Sequence, residues 1–167
     1  MGASERDEFL RAASWSMVAG EIHTERLVFV DECSTNTSLA LLYAWSRRGE
    51  RALCSLPRSW GANVTLLASM GVGGMGPCLA VEGPTTRGVF EAYLERVLAP
   101  SLRPGRVVVM DNLSSHKGGK VKELIEERSC ELLYLPPYSL DLNPIEEAFA
   151  KLKALLREAG ARAPARR

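Results

Sequence analysis

A chain of 167 residues, 46% hydrophobic and 25% charged, carries enough apolar material for one full core and no bias toward disorder or fibre. Its net charge of +1 excludes a general electrostatic pull toward nucleic acid. No apolar run approaches the ~20 residues of a membrane helix, and the N-terminus lacks a basic-then-apolar signal layout. The cysteines, Cys33, Cys54, Cys78 and Cys130, are scattered without a C-x-x-C pair, so reduced, mostly buried thiols in a cytoplasmic protein are expected. Charge is nevertheless uneven: positions 1–32 hold three Lys or Arg against seven acids, and positions 150–167 hold six against one. That basic end could meet phosphates, or it could complement a helix C-terminus.

Positions 4–17 show a weak helical pattern (Phe9, Leu10, Ala13). The first clear strand is 26–32, RLVFVDE, apolar through Val30 and ending on Asp31. Runs 51–56 and 63–70 read as two further strands around a turn-like PRSWG. The glycine string 71–76 lacks G-x-G-x-x-G spacing and leads into no helix, so it predicts a hairpin turn before a strand at 77–82 rather than a phosphate cradle. Thr85 or Thr86 can cap a helix over 85–98 whose stripe is Val89, Phe90, Tyr93, Leu94 and Val97, with Pro100 closing it. Next comes 106–111, RVVVMD, an unbroken β-branched run that reads as a strand buried on both faces. A short helix at 119–128 turns Val121, Leu124 and Ile125 inward, and a strand at 131–135 stops at Pro136 and Pro137. A final helix at 144–158 offers Ile145, Phe149, Leu152, Leu155 and Leu156 as its buried face, and 160–167 (GARAPARR) reads as disordered. Antiparallel strands followed by helix–strand alternation predict an α/β fold with a mixed sheet flanked by helices, in which strands 27–31 and 107–111 lie adjacent and parallel.

Asp111 ends a buried strand, where open α/β sheets place their ligands; capping the following turn is its alternative job. Asn143, Pro144 and Glu146 have the layout of a capping box, which would give Glu146 a structural role. If the strands ending on Asp31 and Asp111 are parallel neighbours, however, Asp31, Asp111 and Glu146 converge at one edge. Clustered acids repel, and divalent cations are the usual compensation; two such ions serve in-line phosphoryl displacement. His116 could contact a phosphate, orient the site or bond to backbone. Asn112 could support the Asp111 carboxylate, and Asp141 with Asn143 would shape the loop before the last helix. Arg47, Arg48, Arg51 and Arg58, with Lys117, could grip a DNA backbone, or the arginines could decorate a solvated hairpin. Trp45 and Trp60 read as packing residues.

The segments FVDE, MDNLSSHKG and YLPPYSLDLNPIEEAFAKLK strongly resemble the DDE transposases of the mariner-type superfamily, in its bacterial insertion-sequence branch. The spacing agrees, since 34 residues, 112–145, separate Asp111 from Glu146. The resemblance covers about 27–157, and it departs from the family where Leu140 stands in place of a usual proline. It implies a ribonuclease-H-like fold, with Asp31, Asp111 and Glu146, not Glu147, as the catalytic and metal-binding triad for two Mg²⁺ or Mn²⁺ ions. It further implies cleavage at transposon ends and strand transfer into target DNA, by a homodimer on DNA associated with the bacterial nucleoid. A full-length relative carries helix-turn-helix domains that about 25 residues cannot hold. The chain is therefore expected to be an extension (1–25), a catalytic domain (26–158) and a basic tail (159–167), with a DNA-binding half that is separately encoded and acts as a partner, has been lost, or has been trimmed away. The competing expectation is an inactive transposase remnant that only binds DNA or protein.

Overall fold

The computed structural model describes residue 20 and residues 22–35, 45–51, 63–113, 116–137 and 139–159. The predicted helix at 4–17, the strand at 51–56 beyond Arg51, Arg58, Trp60 and the tail 160–167 lie outside the described residues. Five strands form one sheet: β1 (Leu27–Thr35), β2 (Val64–Gly71), β3 (Gly74–Glu82), β4 (Val107–Met110) and β5 (Glu131–Tyr134), in the order β3-β2-β1-β4-β5. β1–β2 and β2–β3 pair antiparallel, while β1–β4 and β4–β5 pair parallel. The predicted mixed sheet and the parallel β1–β4 neighbours are therefore present. Among the described residues no helix is long and apolar enough to cross a membrane.

β4 is buried at all four positions because helices cover both faces of the sheet there. On one face, Val30, Leu67, Val108 and Met110 pack with Phe90, Tyr93 and Leu94 after β3 and with Val121 and Ile125 of a helix at Gly119–Glu126 (α2). On the other, Phe29, Ala68, Val107 and Val109 pack against Ile145 and Phe149 of the last helix, Ile145–Glu158 (α3). Burying a side chain of this size is worth roughly 1.5–3 kcal/mol, so α3 is held mainly by its first two turns. Alternation along β1 puts Leu27, Phe29, Asp31 and Cys33 on the α3 side.

Four local expectations are corrected. β1 does not stop at Asp31 but continues to Thr35, because Cys33, Ser34 and Thr35 still pair with Leu66, Thr65 and Val64 of β2. The strand after the glycine turn begins at Gly74, not at 77. Gly74 takes φ +103°, and a Cβ on Gly76 would lie 2.6 Å from the Ser69 hydroxyl, so the glycines serve a tight hairpin. The predicted helix at 85–98 is regular only over Arg87–Tyr93 (α1), capped by the Thr86 hydroxyl accepting from Val89 N–H. It widens into a π turn at Leu94–Leu98 and ends in a 3-10 turn, Ala99–Ser101, because Pro100 has no N–H to give the helical ladder. Finally, Leu155 is 53% exposed, although periodicity assigns it to the buried face of α3. At 100° per residue it points about 80° away from Ile145, on the flank of the helix.

Candidate active site

The register of the two parallel strands builds the site. Val30 pairs with Met110, and these are the last paired residues of β1 and β4. The next residue on each chain is an aspartate, so Asp31 and Asp111 stand side by side on strands about 5 Å apart, on the α3 side of the sheet. β1 runs on past this point while β4 ends, which leaves the carboxylates at a step in the sheet.

Each aspartate is held by protein donors. Asp31 is only 4% exposed. Its Oδ1 accepts from the backbone N–H of Glu32 at 2.7 Å, and its Oδ2 accepts from the side-chain amide of Asn143, also at 2.7 Å. Asp111 is half-buried; its Oδ1 accepts from Leu113 N–H at 3.3 Å and faces Nδ1 of His116. The turn-forming role foreseen for Asp111 is thus fulfilled alongside its place in the cluster. Burial pushes the Asp31 carboxyl from 3.8 up to about 7, reinforced by the charges of Asp111 and Glu146, while the Glu32 N–H and His116 pull it down. Asp31 therefore senses the charges of Asp111 and Glu146, although among the described residues no three His, Cys, Asp or Glu side chains stand close enough to hold an ion as they are.

The remaining foreseen residues divide. His116 is fully buried, its ring stacked on Phe90 with centroids 4.0 Å apart, and its carbonyl accepts from the Tyr134 hydroxyl at 2.8 Å. Such a ring faces Asp111 and has no surface to offer a phosphate. Asn112 is half-buried on the wall of a cavity of about 420 Å³ shared with Asp111, Pro136 and Asn143, and no described hydrogen bond joins it to Asp111. Glu146 and Glu147 both open on a groove of about 890 Å³ that Asp141 and Asn143 also line; Glu146 is half-buried and Glu147 exposed. The capping box is not formed. No side chain caps α3, the Asn143 carbonyl accepts the Glu146 N–H at 3.1 Å, and the Asn143 amide is spent on Asp31. Arg47, Arg48 and Arg51 are exposed around a turn at Gly49, and Lys117 is exposed beside His116. Trp45 is wholly exposed next to these arginines, so its reading as a packing residue is corrected. Sequence reasoning missed Phe90 and Tyr134 as supports of His116. Phe90 lay in the predicted helix stripe and Tyr134 in the predicted strand, but nothing in the sequence tied either of them to His116.

An antiparallel three-strand half joined through β1 to a parallel half, with acids at the β1–β4 step, is the ribonuclease-H-like fold. Residues 26–166 match the DDE superfamily endonuclease family, and the chain belongs to it. It is 33% identical over 116 residues to the Tcb1 transposable-element transposase of Caenorhabditis briggsae, across 67% of this chain and 42% of that one. Among solved structures it resembles the Mos1 transposase paired-end complex with the left transposon end, at TM-score 0.72 and 19% identity over 93% of this chain and 51% of that one. It also resembles the mariner Mos1 paired-end complex with Mg, at TM-score 0.69 and 18% identity over 96% and 57%. The chain spans about half the length of these relatives.

Proposed function

We propose that residues 26–158 form a transposase catalytic domain that hydrolyses a DNA phosphodiester at a transposon end and directs the freed 3′-hydroxyl onto target DNA, with Asp31, Asp111 and Glu146 as its catalytic carboxylates. The observation that carries this reading is the β1–β4 register, in which the aspartates follow the paired Val30 and Met110. Asn143 ties the start of the Glu146-bearing helix to Asp31.

The donor set suits a hard divalent cation: three carboxylates, one of them held in place by the buried Asn143 amide. Burial, and to a lesser degree the charges of Asp111 and Glu146, raise the Asp31 carboxyl to about 7, and a bound cation would offset both. We read the cofactor as Mg²⁺ or Mn²⁺, two ions, held by Asp31, Asp111 and Glu146; the Mos1 complex described with Mg supports a divalent cation. Bound there, such ions supply activation of the attacking oxygen and neutralisation of charge on the leaving one. The protein's part is to fix geometry. Glu32 N–H and Asn143 hold Asp31, and His116 holds Asp111 against rotation. Arg47, Arg48, Arg51 and Lys117 supply exposed cations for the DNA backbone. On DNA the domain acts as a homodimer, with a DNA-binding half outside this segment.

The test is Mg²⁺- or Mn²⁺-dependent nicking of plasmid DNA by the purified chain. Nicking should vanish in Asp111→Asn. Nicking that survives this change, or DNA binding with no metal-dependent nicking, would overturn the catalytic assignment.

A further inference from the structure

We propose that Asn143 is a positioning residue for Asp31 rather than a cap for α3; this deepens the active-site reading above and rests on it. Sequence logic offers Asn143 as a helix N-cap, a job in which the side-chain oxygen accepts a backbone N–H of the first turn. That oxygen bonds nothing among the described residues, and the Glu146 N–H is taken by the Asn143 carbonyl instead. The working atom is Nδ2, which donates to Asp31 Oδ2 at 2.7 Å across 112 positions of sequence.

Residue chemistry explains the choice of asparagine. Of the favoured capping residues Asn, Asp, Ser and Thr, it is the one with an amide donor. Aspartate would set a second negative charge against Asp31, and serine or threonine is an atom too short to occupy the same place. Asn143 is only 3% exposed, so water does not compete for the bond. The consequence for Asp31 is one donor on each oxygen, Glu32 N–H on Oδ1 and Asn143 on Oδ2, which locks the carboxylate plane. Each oxygen keeps a lone pair for a cation. Through its carbonyl the same residue accepts the backbone N–H of Glu146, so one asparagine ties the Asp31 carboxylate to the backbone that carries Glu146.

Two variants separate positioning from capping. Asn143→Ser retains a good cap and loses the amide; Asn143→Ala loses both. Mn²⁺ affinity is measured by titration calorimetry, and melting temperature is measured in EDTA. Positioning predicts that both variants bind Mn²⁺ about tenfold to hundredfold more weakly, as loss of an outer-shell partner does, with the serine variant no better than the alanine one. Wild-type Mn²⁺ affinity in Asn143→Ser would overturn the proposal. A second measurement needs no variant of Asn143 and no metal: in the NMR spectrum of the metal-free wild type, the Asn143 side-chain amide protons should exchange slowly with solvent, and fast in Asp31→Ala. Fast exchange in the wild type would overturn the hydrogen bond itself. Slow exchange in a wild type that shows no Asp111-dependent Mn²⁺ binding would instead sink the active-site reading and leave the hydrogen bond standing.

Discussion

Replacing Asp31 with asparagine should stabilise the domain when no divalent cation is supplied, while abolishing the cleavage proposed for it. Burial, then the charges of Asp111 and Glu146, raise the Asp31 carboxyl from 3.8 to about 7. The folded chain therefore holds this proton more tightly than the unfolded chain does. Below about pH 4 the carboxyl is protonated in both states and nothing is lost. Between about pH 4 and pH 7 the folded state binds more protons, so stability falls as pH rises; above about pH 7 the full cost, at most about 4 kcal/mol, is present. Asparagine carries no charge at any of these pH values. Its Oδ1 can keep the Glu32 N–H, and Asn143 can turn its unpartnered oxygen toward the new amide. The expected gain is about 2–4 kcal/mol at about pH 8, shrinking to about 1.5 kcal/mol at about pH 5. Urea denaturation in EDTA at the two pH values reads the difference. Millimolar Mn²⁺ should reverse the order, because a ligand that binds only the folded wild type adds stability by mass action. A variant no more stable than wild type at about pH 8, or an advantage that does not shrink toward pH 5, would refute the reasoning.

Glu146→Gln should abolish metal-dependent nicking with less than about 1 kcal/mol of destabilisation, since no capping box depends on it, while Glu147→Gln on the exposed side should be mild. Activity and melting of the two variants decide whether the third carboxylate is correctly placed. Phe149→Ala should cost about 3–5 kcal/mol in urea denaturation, whereas Leu155→Ala should stay within about 0.5 kcal/mol; similar losses would mean that α3 is anchored along its whole length. Changing Arg47, Arg48 and Arg51 together to alanine should weaken DNA binding and flatten the salt dependence by about one for each phosphate no longer neutralised. An unchanged slope of affinity against salt would place these arginines away from DNA.

The apolar run RVVVMD and the matching RLVFVD made the central parallel pair legible, because a buried parallel strand needs continuous β-branched residues and its ligand edge is where the run meets polar side chains. That Asp31 and Asp111 follow the paired ends of neighbouring strands was legible for the same reason, and the inward face of α3 followed from periodicity at Ile145 and Phe149. What a linear reading could not decide was which partner each polar atom takes. Asn143 and Glu146 satisfy the local rule for a capping box, yet the amide of Asn143 meets a buried carboxylate 112 positions away. In a low-dielectric interior, satisfying that charge outweighs a local cap. His116 has the sequence setting of a turn residue, and only the folding of the Phe90 helix over it buries the ring. Trp45 has the composition of a core residue, and only the placement of its turn leaves it wholly exposed. Strand ends behave likewise: β1 passes Asp31 because β2 offers it partners through Thr35, and only a neighbouring strand can extend another. Periodicity and composition set which faces are buried; the long-range pairing of donors, acceptors and strands is a property of the assembled sheet alone.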